Sequence, residues 1–108
     1  MISGESTLSG EDKKFLGNAS SSKTAADGVC NEVSNYGSMF GADSIFNMFG
    51  TYGSEFSSQS AYNEFTSTPP VLFCAATNRE LNPVTKNTVI GRAIDPDLLC
   101  RVLEANGY

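Results

Sequence analysis

Few residues of this chain have the types and spacing that catalysis requires. Ser20 and Lys23 stand three positions apart, which is the S-x-x-K spacing of serine–lysine hydrolases. That chemistry also needs a helix and two further motifs, and the sequence contains neither S-D-N nor K-T-G. Histidine is absent, which excludes Ser-His-Asp and Cys-His catalysis. We therefore interpret residues 20–23 as a serine-rich turn and assign no catalytic residue.

The chain has three cysteines, Cys30, Cys74 and Cys100. Because the number is odd, they cannot all be paired in disulfides, and no two of them have C-x-x-C spacing. They also make a poor zinc site, because structural zinc takes four nitrogen or sulfur ligands. We expect three buried apolar side chains, as free cysteine often is. One disulfide among them is the alternative if the protein is exported.

The carboxylates of the middle segment could suggest calcium. Asp43, Glu55 and Glu64 lie there, but bound calcium takes six or more oxygen ligands. The glycine–aspartate nonapeptide of calcium β-rolls is also absent. We interpret these residues as solvated surface charges and expect neither a metal nor a cofactor.

Aromatic residues are concentrated in one stretch, residues 36–65, where only three residues are charged. The members are Tyr36, Phe40, Phe46, Phe49, Tyr52, Phe56, Tyr62 and Phe65. Our first interpretation is that these rings fill a core, since aromatic pairs bury a large area. The alternative is an exposed aromatic face that binds a partner, and its candidate residues are Tyr36, Phe40, Tyr52 and Phe56.

Charge and length exclude several classes of partner. The chain has 108 residues, with 7 basic and 12 acidic side chains and a net charge of −5. This balance argues against nucleic acid and against an anionic membrane surface. No apolar run reaches the roughly 18 residues of a membrane span, so we expect no membrane insertion. The first residues lack the basic-then-apolar order of a signal peptide, which leaves a cytoplasmic chain or a mature exported form.

The middle of the chain repeats with a period of 16 residues. YGSMF at Tyr36 aligns with YGSEF at Tyr52, and SIFNMF at Ser44 aligns with SAYNEF at Ser60. Residues 28–33, GVCNEV, form a degraded third copy. One phase of all three copies is asparagine: Asn31, Asn47 and Asn63. Helix-turn-helix repeats need more than about 30 residues, so we predict a short stack of turn-rich coils with these asparagines as a ladder of stacked amides.

These patterns predict one α+β domain with three zones. Residues 1–19 form a polar N-terminal segment, in which Ser9 to Asp12 resembles a capping box and predicts a helical turn into Leu16. Residues 20–68 hold three 16-residue repeats. Residues 69–108 form a strand-strand-helix cap: we predict a hairpin of strands 71–76 and 88–94 around a polar turn at 78–86, then a helix over 96–105.

The phrases YGSMF-GADSIFN and YGSEFSSQSAYNEF-TSTPPVL resemble an uncharacterised family of small bacterial proteins. Its members have tandem YGS-x-[YF]-S-x-x-S-x-x-N repeats followed by a PPV strand, and a similar FLGN phrase, here residues 15–18, precedes them. The resemblance covers about residues 15–73 and implies export, either secreted or periplasmic. It implies no catalytic or ligand residue. The first repeat departs from the pattern, because residues 20–35 lack the YGS opening.

We therefore expect a non-catalytic structural or protein-interaction module that self-associates or binds a protein through the repeat stack. The N-terminal end of that stack is the expected contact, because Phe15 and Leu16 are the only apolar anchors of its cover. The alternative is a small enzyme or ligand-binding protein whose cleft uses Cys74 or serine and aspartate groups.

Overall fold

A computed structural model describes residues 6–74 and 79–107 of the chain. It contains four short strands: β1 (Ser6–Ser9), β2 (Phe15–Asn18), β3 (Val71–Cys74) and β4 (Arg79–Pro83). They form one antiparallel sheet in the order β2-β1-β3-β4. A 3-10 turn, Pro96–Leu98, leads into one helix, α1 (Leu99–Ala105). The structure is therefore α+β, as the sequence predicts.

The N-terminal segment is part of the sheet. The helical turn predicted for residues 13–16 is wrong, because Phe15 and Leu16 lie in β2. The strand β1 occupies an inner position between β2 and β3, and the side chains of Leu8 and Leu16 are fully buried. Strands of four residues carry too few apolar side chains to display a period of two, which is why composition alone suggests a polar tail.

The predicted hairpin pairs the wrong segments. The strand that follows β3 in the chain and pairs with it is β4, which lies inside the region predicted as a polar turn. Residues 88–92 form turns, and from the predicted second strand only Ile94 makes an isolated bridge, to Val84. Because β4 is an edge strand with exposed residues, its sequence lacks the apolar signal of an inner strand. Residues 75–76 of the predicted first strand lie outside the described residues.

The C-terminal helical segment begins at the predicted residue, but its first turn, Pro96–Leu98, is a 3-10 turn. The Asp95 carboxylate accepts a hydrogen bond from the Asp97 N–H at 2.9 Å, and Pro96 occupies the first helical position. Leu99 and Leu103 are buried, so the apolar side of the helix packs into the core.

A disulfide attaches this helix to the middle of the chain. Cys30 and Cys100 are bonded across a sequence separation of 70 residues, with their Cα atoms 5.9 Å apart. The expectation of three free buried thiols is therefore wrong for these two residues. The side chain of Cys74 lies outside the described part of the structure.

Between β2 and β3 the backbone runs as a succession of turns, from residue 25 to residue 66. A backbone N–H donates to the carbonyl three residues earlier at almost every third position; Ser44, Asn47 and Gly50 donate in this way at 3.2, 3.3 and 3.0 Å. The residue at each corner is mostly serine or asparagine, and its side-chain oxygen accepts the N–H two residues later. These short polar side chains close the turns locally.

The N-terminal end of this turn-rich segment is paired. The Asn18 N–H of β2 donates to the Asp27 carbonyl at 2.8 Å, and the Asn18 carbonyl accepts from the Val29 N–H at 3.0 Å. Val29 is fully buried. The strand β2 therefore pairs with the backbone at Asp27 and Val29, and contact of a partner with this end of the segment stays a prediction.

Two glycines stand where the turn lengthens from three residues to four. The Ser38 N–H donates to the Ser34 carbonyl, and the Ser54 N–H donates to the Gly50 carbonyl, each at 3.0 Å. A Cβ atom on Gly37 would lie 2.2 Å from the Asn31 carbonyl oxygen. A Cβ atom on Gly53 would lie equally close to the Asn47 carbonyl oxygen, at 2.2 Å. Glycine is therefore required here by the close approach of two backbone segments.

The variant Gly53→Ala should lower the free energy of unfolding by about 1–3 kcal/mol, because its methyl group has no space beside the Asn47 carbonyl. Gly91→Ala is the matched control, since no atom lies within 4 Å of a Cβ placed there. Its effect should stay within about 0.5 kcal/mol. Urea unfolding monitored by circular dichroism measures both. Equal destabilisation by the two variants would contradict the close backbone approach.

Reduction of the disulfide should destabilise the protein by about 4 kcal/mol, the chain-entropy value for a loop of this length. Thiol titration of unfolded, unreduced protein should find one free thiol, and three after reduction. The double variant Cys30→Ser/Cys100→Ser should reproduce the loss, and Cys74→Ser should leave the Cys30–Cys100 bond intact by mass spectrometry. Three free thiols before any reductant is added would contradict the bond.

Candidate interaction surface

The exposed apolar side chains stand at fixed places in the turns. Phe49 and Phe65 are each 91% exposed, and each follows an asparagine by two positions. Their backbone N–H groups donate to the side-chain oxygens of Asn47 and Asn63, at 3.0 and 2.9 Å. Val33 is equally exposed and bonds in the same way to Asn31, at 3.0 Å. In these three turns the asparagine side chain closes the turn, and the apolar residue two positions later faces solvent.

Two further phenylalanines follow serine corners. Phe40 is 85% exposed and Phe56 is 86% exposed. Their N–H groups donate to the hydroxyl oxygens of Ser38 and Ser54, at 3.0 and 3.2 Å. At these two serine corners the second residue after the serine is exposed, whereas after Ser44 and Ser60 it packs partly buried against the core.

Each asparagine also makes a second bond that braces its segment. The side-chain Nδ2 atoms donate to the backbone carbonyl six residues earlier, at 2.9 Å for Asn31 and 3.0 Å for both Asn47 and Asn63. The acceptors are Ala25, Gly41 and Ser57. These bonds run within each asparagine's own stretch of chain. Stacking of the three amides on one another stays a prediction.

A fourth asparagine turn lies after β4, where the sequence reasoning placed a strand. The Asn87 Oδ1 atom accepts the Val89 N–H at 3.1 Å, and its Nδ2 atom donates to the Thr66 carbonyl at 2.8 Å. Val89 is as exposed as Val33, and it lines one shallow depression with Phe65. A search by period missed this turn because Asn87 is out of phase with the others. The triplet N-T-V, which resembles N-E-V, N-M-F and N-E-F, was the available signal.

Part of this surface is a groove of about 710 Å³. Its apolar lining comes from Phe46, Met48, Phe49, Phe56 and Tyr62. Its charged lining comes from Glu55, Glu64 and Lys86. The groove adjoins a second depression lined by Phe56, Tyr62 and Phe65. Phe49, Phe56 and Phe65 therefore line one connected surface. We call the exposed phenylalanines the phenylalanine row: Phe40, Phe49, Phe56 and Phe65, with Val33 and Val89 at exposed positions after other asparagine corners.

The four residues predicted as an aromatic face separate into two pairs. Phe40 and Phe56 are exposed, whereas Tyr52 is only 7% exposed and Tyr36 is half-buried. The ring of Tyr36 packs edge-on against Phe15, with ring centroids 5.0 Å apart. The tyrosines of this set therefore support the fold, and the phenylalanines face solvent.

The interpretation that all eight aromatic rings fill the core is wrong. The fully buried apolar side chains of the turn-rich segment are Val29, Ile45 and Ala61, and Tyr52 is the one aromatic residue of the segment in the buried core. Phe46 and Tyr62 are partly buried and pack against that core. A segment built from tight turns encloses little volume, so few side chains fit inside it, and the phenylalanines Phe40, Phe49, Phe56 and Phe65 remain exposed.

A network of charged groups fixes one wall of the groove. The Tyr62 hydroxyl donates to Asp97 at 2.8 Å, and the Lys86 ammonium donates to Asp97 at 2.6 Å and contacts Asp95 at 2.9 Å. Burial, followed by the contact with Asp97, raises the pKa of Tyr62 above its ordinary value. The hydrogen bond from Lys86, followed by that from Tyr62, lowers the pKa of Asp97. The hydrogen bonds to Asp97 and, second, to Asp95 raise the pKa of Lys86. At neutral pH Tyr62 is therefore neutral, and the charge of Lys86 is already balanced.

A similar pair ties the turn between β1 and β2 to the turn-rich segment. The Tyr52 hydroxyl donates to the Asp12 carboxylate at 2.8 Å. Burial, together with this hydrogen bond, raises the pKa of Tyr52 to about 12. The same bond lowers the pKa of Asp12. Tyr52 therefore positions the segment that carries Phe49 and Phe56.

The other sequence candidates occupy separate places. The Ser20 hydroxyl accepts the Ser22 N–H at 3.1 Å, as in a serine turn, and Lys23 is exposed. Asp43 lies 3.9 Å from the Lys14 ammonium. Within residues 6–74 and 79–107, no group of three cysteine or acidic side chains is arranged to hold a metal ion. In the same ranges, no helix is long and apolar enough to cross a membrane.

Comparison with known proteins finds no family model, no curated protein and no solved structure that matches this chain. The function is therefore inferred from the geometry of the chain's own residues.

Proposed function

We propose that this protein is a non-catalytic interaction module that binds a protein partner through the phenylalanine row. The observation that carries the proposal is the exposure of four phenylalanines, Phe40, Phe49, Phe56 and Phe65. Burying such a side chain is worth about 1.5–3 kcal/mol, so the folded chain leaves a large apolar contribution unused. Contiguous exposed apolar surface of this kind marks sites where proteins bind one another.

The proposal includes a repeated structure for the segment. We infer a short stack of 16-residue units, each composed of four three-residue turns and one four-residue turn. Three observations 16 positions apart support it: the paired hydrogen bonds of Asn31, Asn47 and Asn63, the close approach at Gly37 and Gly53, and the exposure of Phe40 and Phe56. Each copy of a repeated unit exposes an equivalent residue, and a row of such residues can bind an extended partner.

The disulfide indicates the compartment in which the protein meets such a partner. Disulfides persist in oxidising compartments and are rare in the cytosol. The Cys30–Cys100 bond therefore favours a protein that works outside the cytoplasm, secreted or periplasmic. This agrees with the export implied by the YGS-repeat resemblance.

The test uses peptides selected from a random library displayed on phage, with the disulfide-bonded protein as bait. Binding of the enriched peptides is then compared between the native protein and the triple variant Phe49→Ser/Phe56→Ser/Phe65→Ser. We expect at least a tenfold loss, because three apolar contacts are removed together. The free energy of unfolding should change by less than about 0.5 kcal/mol, since these side chains are exposed.

The matched control is Thr51→Ala/Ser58→Ala/Ser67→Ala, at three exposed positions outside the phenylalanine row. Peptides that bind the serine variant as tightly as the native protein would contradict the proposed function. An equal loss in the control variant would contradict it as well.

A further inference from the structure

We infer that the partner is a cationic polypeptide segment in which arginines alternate with apolar residues. This inference rests on the proposed function and specifies the chemistry of the partner. It depends on the charges around the groove, on the exposed ring faces inside it and on the length of the row.

The charged rim of the groove is negative. Glu55 and Glu64 are exposed and line it, and neither forms a salt bridge with another residue of the described ranges. Lys86 is the only positive residue of the lining, and it already contacts both Asp95 and Asp97. One lysine against two aspartates leaves a further negative charge at this wall. The rim therefore attracts cations and repels anionic partners.

The same charges argue against a second copy of this chain as the molecule that binds in the groove. Two copies that met through the groove would place four groove glutamates in one interface, against two Lys86 side chains that already contact Asp95 and Asp97. The whole chain also carries a net charge of −5, which adds to the repulsion. A cationic partner is attracted both by the groove glutamates and by the net negative charge of the chain.

The ring faces in the groove suit a guanidinium group. A cation over an aromatic face is attracted by the ring quadrupole, and arginine uses this contact more often than lysine because its planar group also stacks. Such contacts occur among the described residues: Lys86 lies 5.9 Å from the ring centroid of Tyr62, and Lys13 lies 5.3 Å from that of Phe73. Phe49 and Phe56 are exposed beside Glu55, so an incoming arginine can contact a ring and a carboxylate together.

The extent of the surface favours a polypeptide over a small cation. Beyond the groove the apolar surface continues past Phe65 to Val89, through depressions that share Glu64 with it. A small cation would occupy one position and leave the remaining apolar side chains exposed. In a segment with alternating arginine and apolar side chains, the arginines pair with the acidic rim and the apolar side chains contact the phenylalanine row.

The direct test measures fluorescence anisotropy of a labelled peptide of alternating leucine and arginine, titrated with the disulfide-bonded protein at low and high salt. Two peptides of equal length replace arginine with lysine or with glutamate. We expect the arginine peptide to bind most tightly, the glutamate peptide not to bind, and affinity to fall as salt rises. Glu55→Gln/Glu64→Gln should weaken binding about fivefold, the effect of two partly exposed ion pairs.

The matched control is Glu11→Gln/Glu104→Gln, which removes the same net charge at exposed positions that do not line the groove. It should bind the arginine peptide as the native protein does. Equal weakening by both double variants, or binding of the glutamate peptide, would overturn the cationic partner.

The serine variant at Phe49, Phe56 and Phe65 separates this inference from the proposed function. If that variant loses its phage-selected peptides while those peptides lack arginine and lysine, the proposed function stands and the cationic partner fails. If the serine variant binds all peptides unchanged, the proposed function fails. Sedimentation that shows a dimer of the native protein, and a monomer of the serine variant, would make a second copy the occupant and overturn the inference.

Discussion

The structure depends on one local interaction, in which the side-chain oxygen of a serine, threonine, asparagine or aspartate accepts the backbone N–H two residues later. It closes turns from Asp12 near the first strand to Asp95 at the start of the helix. The long connection from β2 to β3 contains neither helix nor strand, so its backbone groups have no regular ladder to pair with. Corner side chains pair them locally, which lets a connection of this length pack closely.

The same interaction closes turns that face the core and turns that face solvent. Ser44-Ile45-Phe46 and Asn47-Met48-Phe49 are adjacent turns of similar composition, and both are closed by the corner side chain. Ile45 is fully buried and Phe46 partly buried, whereas Met48 and Phe49 are exposed. Of these two neighbouring turns, one therefore supplies the core and the other the outer surface. Because the outward turn also carries apolar side chains, the surface is apolar at that place, and Phe49 of the phenylalanine row is exposed there.

The sequence predicts features that are encoded within a few residues. The helix start at Asp95-Pro96 was correctly predicted, since the cap and the proline act locally. The strands β1, β2 and β4 were not, because four or five residues show no clear pattern and their pairing depends on distant partners. Three cysteines allow several pairings, and only the fold brings Cys30 to Cys100. The aromatic residues were found from the sequence, but their exposure depends on the direction of each turn.

The outward orientation of the phenylalanines is measured most directly by hydroxyl-radical footprinting of the native, disulfide-bonded protein at low concentration, read by mass spectrometry. Each residue's oxidation rate is divided by its rate in the unfolded chain. Phe49 and Phe65 should oxidise nearly as fast as in the unfolded chain, and Tyr52 should be strongly protected. Protection of Phe49 and Phe65 equal to that of Tyr52, in a sample that sediments as a monomer, would contradict the outward row and the interaction surface built on it.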